Sequence, residues 1–205
     1  MGRHIEAKCK LCRREGEKLF LKGEKCYTDK CPYSRRSYAP GQHGKLPARV
    51  SEYQIRLREK QKARRIYGLS EGQFAGYFEK AAKRKGVTGE QLLQYLERRL
   101  DNVVYRLGFT TSRQAARQMV RNGGILVNDK KVNIPSFSVK IGEVIRVSPK
   151  IVKLAKEALE KFPDKVTPKW LSLSGEAEGK VVALPTRDEV DAAIAENLIV
   201  EYYSR

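Results

Sequence analysis

No apolar stretch in this 205-residue chain approaches the ~20 residues that a transmembrane helix needs. The opening Met1-Gly2-Arg3-His4 leads into charged residues, which predicts no signal peptide, and Glu6 stands where a myristoylation pattern wants Ser or Thr. Internal repeats, low-complexity tracts, a P-loop and a dinucleotide fingerprint are all absent. Histidine is scarce: His4 and His43 lie far in sequence from any convincing Ser or Asp partner, so a catalytic set built on either is not expected. Together these absences predict a cytoplasmic protein with no membrane partner and no small-molecule substrate.

Acidic residues are also in short supply. The chain carries 24 Asp+Glu against 42 Lys+Arg, a formal net charge of +18. Self-repulsion of that size does nothing for folding, whereas a polyanionic partner explains it, because Lys and Arg displace counterions from phosphates. The surplus is uneven: net +8 over residues 1–50, +6 over 51–88, +5 over 89–147 and −1 over 148–205. The polyanion-binding face is therefore expected within residues 1–147, with the tail left for packing or protein contact.

Residues 1–50 are rich in Cys, Lys, Gly and Pro and show little helical periodicity, as in a small loop-rich module that needs a staple. Residues 51–67 lack Gly and Pro and predict a helix with Tyr53, Ile55, Leu57 and Ile66 as candidate buried positions. Capping boxes at Ser70-Glu71-Gly72-Gln73 and Thr88-Gly89-Glu90-Gln91 open two more helices, the second a leucine-periodic run to Leu107 stopped by Gly108. Ser112 caps a further helix ended by Gly123-Gly124. Short strands follow at 125–128, 131–133 and 144–147, then a helix over 150–162. Leu198 to Tyr203 reads as a strand or an extended docking segment.

All four cysteines fall in the first 31 residues. Cys9 and Cys12 are separated by two residues, and Cys26 and Cys31 by four, with a loop of about a dozen between the pairs. Two short-spaced pairs can fold together around one tetrahedral ion, the pattern of a structural Zn2+ site with no open position for catalysis. Lys8, Lys10, Arg13 and Lys25 would help keep the thiols ionised. An iron–sulfur cluster and reduced or redox-active cysteines are the alternatives; disulfides are not expected in cytoplasm.

Arg113, Arg117 and Arg121 recur at steps of four, placing three guanidinium groups on one helical stripe that could grip phosphates. Arg98 and Arg99 lie nearby in sequence. A merely solvated face is the competing explanation. The first long helix brings Arg56, Arg58, Lys60, Lys62, Arg64 and Arg65, which surround most of its circumference. Arg35 and Arg36 lie between Tyr33 and Tyr38, whose rings either stack on unpaired bases or form the small core of the cysteine module. His43, in the glycine-rich Pro40-Gly41-Gln42-His43-Gly44, is a candidate contact with RNA backbone.

Several of these stretches resemble one family. Pro40-Gly41-Gln42-His43-Gly44, Leu57-Arg58-Glu59-Lys60-Gln61-Lys62, Arg64-Arg65-Ile66-Tyr67-Gly68, the run from Arg99 to Phe109, Trp170-Leu171-Ser172-Leu173 and the ending Glu201-Tyr202-Tyr203-Ser204-Arg205 are similar, in order and end to end, to bacterial small-subunit ribosomal protein S-four. The cysteine quartet resembles the zinc-binding version of that family, while Asp129 departs from its usual Asn-Gly hairpin turn. The resemblance implies an α+β fold: a mainly helical domain, an inserted small α/β RNA-binding module, and a loop-rich zinc-binding N-terminal extension. It places the extension at 1–45, the helical domain at 46–96 completed by 190–205, the module at 97–160, and an extended linker with short strands at 161–189. It implies direct binding to 16S ribosomal RNA, early nucleation of the 30S body, and contact with protein S-five that influences decoding accuracy. Messenger RNA near the entry channel is a further implied partner, with Lys45 and Arg49 in the matching loop, and some members repress their own operon.

Two rivals remain. The same small module is appended to pseudouridine synthases, and Arg99-Leu100-Asp101 echoes the motif around their catalytic Asp. The residues left over are too few for a separate catalytic domain, so Asp101 is expected to be a structural partner of a neighbouring Arg. A zinc-containing DNA-binding regulator is the other.

Overall fold

The computed structural model describes residues 6–46, 49–162, 166–175, 177–190 and 193–204. The chain forms two compact units, one of residues 1–92 with 192–205 and one of residues 93–191.

The first unit begins with α1 (Lys8–Glu15), ended by Gly16 in the left-handed conformation, a short 3-10 turn over Gly23–Cys26, and the single-turn α2 (Pro32–Arg35). Leu11, Leu19 and Leu21 are buried in this stretch, as are Cys12, Cys26 and Cys31. Then come α3 (Glu52–Ile66) and α4 (Glu71–Ala82). Ser51 and Ser70 each accept the backbone N–H three residues on, satisfying a donor that the first helical turn would leave orphaned.

The chain's last helix, α9 (Glu196–Tyr203), returns to this unit. The strand or extended segment expected at Leu198–Tyr203 is thus corrected to a helix. Ile199, Tyr202 and Tyr203 fall three to four apart, so a helix delivers them to one face. Ile199 is fully buried, Tyr203 stacks on Phe78 at 4.5 Å between ring centroids, and Tyr202 lies 5.8 Å from Tyr53. Of the apolar positions expected on α3, Ile66 is buried as expected but Tyr53 and Ile55 are exposed, and Ala63, Lys60 and Lys62 are buried as well.

α5 (Thr88–Glu97) runs across the division between the units and is followed by α6 (Leu100–Arg106) and α7 (Arg113–Arg121). The single leucine-periodic helix expected up to Leu107 is therefore broken at Arg98-Arg99. Arg99 is extended there (φ −68°, ψ 134°) and bridges Ser138, while Arg98 accepts from Val139 N–H at 2.9 Å and Leu100 donates to Phe137 at 2.8 Å. Backbone pairing outcompetes an uninterrupted helix, a tertiary effect that local propensity does not show.

The second unit's sheet contains β1 (Ile125–Val127), β2 (Lys130–Lys131), β3 (Val144–Val147), β4 (Leu171–Leu173) and β5 (Glu178–Val181), antiparallel in the order β2-β1-β3-β5-β4. The stretch 161–189, expected as a linker with short strands, thus supplies two strands of this sheet. α8 (Val152–Lys161) packs Ala155 into the same core as Leu100, Val104, Leu107, Val120, Ile145 and Trp170. Asn128 and Asp129 both take positive φ (47° and 62°), the twist that suits a two-residue hairpin without the usual glycine. Arg146 on β3 donates to Asp129 at 2.5 Å and to Glu178 at 2.6 Å, tying the turn to the sheet.

Candidate nucleic-acid interface

Cys9 and Cys12 sit one turn apart on α1, Cys26 closes the 3-10 turn, and Cys31 precedes Pro32 of α2. None is in a disulfide, and Cys12, Cys26 and Cys31 are buried. Lys22 N–H reaches Cys26 Sγ at 3.4 Å. Burial pushes the Cys12 thiol up, as does proximity of the other three sulfurs, while Leu19 N–H draws it down. Cys26 is raised, chiefly by burial. At Cys31 burial acts upward, yet backbone N–H groups of Ser34 and Tyr33 and the Ser34 hydroxyl bring the thiol below its ordinary value. Among the described residues no group of three or more His, Cys, Asp or Glu stands at metal-holding geometry. The donor chemistry nevertheless suits a soft divalent ion: four sulfurs within electrostatic reach of one another, with N–H donors directed at them.

The two aromatics flanking Arg35 and Arg36 serve the module itself. Tyr33 O–H donates to Gly16 carbonyl, and the Tyr38 ring receives Arg13 at 4.9 Å and Lys45 at 5.0 Å. The loop holding His43 is tight: a Cβ on Gly44 would stand 1.9 Å from the Ala39 carbonyl oxygen, so only glycine fits. His43 and Lys45 are exposed on it, as is Arg49 further on.

α3 is where the sequence-based expectation changes most. Every one of its cations meets a carboxylate. Arg56 pairs with Glu52 (3.1 Å) and Glu201 (2.6 Å), Lys60 with Glu71 (2.6 Å), and Arg64 with Glu71 (3.5 Å). Lys62 pairs with Glu17 (3.3 Å) and Glu59 (3.0 Å), and Glu15 receives both Arg58 (3.4 Å) and Arg65. Burial raises the Glu15 carboxyl against the pull of those arginines. At Glu71 burial also acts upward, but hydrogen bonds from Lys60 and Tyr203 hold the carboxyl below its ordinary value. These pairs fasten α1, α4 and α9 onto α3.

In the second unit a buried polar network joins the ends of α5, α6 and α7. Asp101 accepts two bonds from Arg99 (3.1 and 2.7 Å) and one from Arg117 (3.3 Å). Glu97 accepts Arg106 (2.9 and 3.1 Å) and Asn102 (2.9 Å), and Asn102 in turn accepts Arg113 at 2.8 Å. Arg113 also lies 4.5 Å over the Tyr105 ring. Asp101 is thus the structural partner that the sequence suggested. Arg98 donates to Val139 carbonyl at 2.9 Å.

A family profile described as the ribosomal protein S4/S9 N-terminal domain matches residues 3–97, and one described as the S4 domain matches residues 98–145. Proteins called small ribosomal subunit protein uS4 are similar over the whole of both chains: 58% identity in Ruminiclostridium cellulolyticum, 56% in Solidesulfovibrio magneticus and 55% in Dictyoglomus thermophilum. The chain belongs to the ribosomal protein S4 family. In this S4-family protein the arginine stripe is graded: Arg113 and Arg117 are anchored inward by Asn102 and Asp101, and Arg121 is exposed. The outward-facing candidates are Arg35, Arg36, His43, Lys45, Arg49 and Arg121.

The sequence-based site list omitted exposed lysines on both units. Lys83 and Lys85 follow α4, and Lys130 and Lys131 occupy the edge strand β2. The Lys83-Arg84-Lys85 run was a signal available in the sequence. The hairpin lysines were not separable from ordinary edge-strand protection.

Proposed function

We propose that this chain is a structural, non-catalytic constituent of the bacterial small ribosomal subunit, acting in the cytoplasm by binding 16S ribosomal RNA. One observation carries it: the end-to-end likeness, at 55–58% identity, to proteins named for that subunit. The positive surplus is compatible, because the matching of α3 cations by carboxylates leaves the excess on exposed side chains of both units. Footprinting on naked 16S RNA tests it. Protection should appear at a discrete folded site and survive competition with duplex DNA; protection lost to duplex DNA as readily as to unlabelled 16S RNA would refute it.

The finer roles follow from the same reading. Early binding nucleates the 30S body; contact with protein S-five contributes to decoding accuracy; Lys45 and Arg49 face messenger RNA near its entry channel; and repression of its own operon, a role of some members of the family, is a further candidate role. Cys9, Cys12, Cys26 and Cys31 hold one structural Zn2+, a reading supported by the burial of Cys12, Cys26 and Cys31 and by the N–H donors directed at those three sulfurs. Metal analysis after zinc-replete expression should give one equivalent, lost in Cys9→Ser together with protease resistance of residues 6–46. Less than half an equivalent, or unchanged resistance, would remove zinc from the account.

A further inference from the structure

Phe20 lies in an unusual place. It adopts φ 50°, a left-handed conformation that bulky side chains rarely take. Its neighbours Leu19 and Leu21 are both buried, which turns the Phe20 ring outward, where it is 37% exposed. The loop is pinned at both shoulders, with Leu19 N–H directed at the Cys12 sulfur and Lys22 N–H at the Cys26 sulfur. Tyr27, immediately after Cys26, is 61% exposed and meets Phe20 with ring centroids 4.9 Å apart and planes tilted by 31°. The contacts to Cys12 and Cys26 thus flank two adjoining, exposed aromatic rings, with backbone strain at Phe20.

Exposed Lys18, Lys22, Lys25 and Lys30 share this segment with only two acids, Glu24 and Asp29. Aromatic faces among lysines suit an unpaired nucleobase, which stacks on the ring while its phosphates meet the ammonium groups. Of the aromatics that sequence spacing singled out, Tyr33 ties its hydroxyl to the Gly16 carbonyl and the Tyr38 ring is already faced by Arg13 and Lys45. We propose that the Phe20–Tyr27 pair is a stacking platform for unpaired bases of ribosomal RNA. This rests on the RNA-binding function proposed above and adds a site and a class of ligand to it.

The test is equilibrium binding of the full-length protein to 16S ribosomal RNA over a salt series, for wild type, Tyr27→Ala, Tyr27→Leu, Tyr27→Trp and Phe20→Gly. Tyr27→Ala, Tyr27→Leu and Phe20→Gly should weaken binding by roughly 5- to 150-fold at fixed salt. The slope of log K against log salt should stay at the wild-type value, because no cation is removed. Tyr27→Trp should bind like wild type, since it keeps a π-face. Phe20→Gly should unfold at or above the wild-type midpoint, since glycine relieves the left-handed backbone; that separates loss of the ring from loss of the fold. Wild-type affinity in Tyr27→Leu, or a loss accompanied by a shallower salt slope or a lower unfolding midpoint in Phe20→Gly, overturns the platform and leaves RNA binding standing. Failure of the wild type to bind 16S RNA overturns both.

Discussion

Replacing Asp101 by Asn changes almost no volume and removes one negative charge from a site only 4% exposed. Arg99, itself 1% exposed, loses the charge facing its two-pronged contact at 3.1 and 2.7 Å, and Arg117 loses its contact at 3.3 Å. Breaking a buried ion pair from one side leaves the other charge uncompensated, at about 3–5 kcal/mol. The Arg117 side chain is partly exposed, so water recovers some of its share, and the lower bound of about 3 kcal/mol is the better expectation. For a unit of this size each kcal/mol moves the melting temperature by about 4–8 °C, so Asp101→Asn should lower it by roughly 12–24 °C. Thermal unfolding followed by far-UV circular dichroism reads this directly. Arg99→Met combined with Asp101→Leu should be milder than Asp101→Asn alone, because the two most deeply buried charges leave together. A melting temperature for Asp101→Asn within about 2 °C of wild type would show that the network adds little to the fold and would refute the reasoning.

Other perturbations separate cations that fasten the fold from cations directed at RNA. Arg121→Ala should reduce the salt slope of 16S binding by up to about 0.9, one phosphate's worth of counterion release, whereas Arg64→Ala should leave the slope unchanged and lower the unfolding midpoint; equal slopes in both variants would contradict the distinction. Glu71 has a folded-state carboxyl held below its ordinary value of 4.5, so its stabilising contribution is present above that pH and lost as pH falls through the folded value. Glu71→Gln should therefore melt below wild type at pH 7, with the gap closing under acid conditions; a gap that widens in acid would reverse the sign. At Asp129 the left-handed backbone disfavours a Cβ by about 1–2 kcal/mol. Urea midpoints should accordingly rank Asp129→Gly at or above wild type and Asp129→Ala below it, and the reverse order would remove strain from the explanation of this turn.

Elements with local signals were legible in the sequence. The serine caps of α4 and α7, the glycine stop after Leu107 and the Asn128-Asp129 turn all stand where residue chemistry put them. What escaped was set by distant parts of the chain. Nothing near Arg98-Arg99 announces a helix break, because the backbone of Phe137–Val139 imposes it. α9 looked strand-like because β-branched and aromatic residues dominate it, and its helical form follows from packing on α3 and α4. The ion pairs of the α3 cations could not be read either, because their carboxylate partners Glu15, Glu17, Glu71 and Glu201 are well separated from most of them in sequence. The arginine stripe was correctly placed on one helix, but its inward anchoring to Asn102 and Asp101 depends on how α6 and α7 pack.

The clasp between α3 and α9 imposes a timetable on the newborn polypeptide. Glu201 and Ile199, which complete the first unit, emerge from the synthesising ribosome more than a hundred residues after α3 does. At about 5–20 residues per second that interval is about 7–27 s. Residues 93–191 form a contiguous unit and are able to collapse during the wait, while Arg56 lacks its distal counter-ion and the groove destined for Ile199 stays wet. Truncation just before Glu196 should consequently spare the unit of residues 93–191 and leave the first unit ajar, its basic helix open to any passing polyanion.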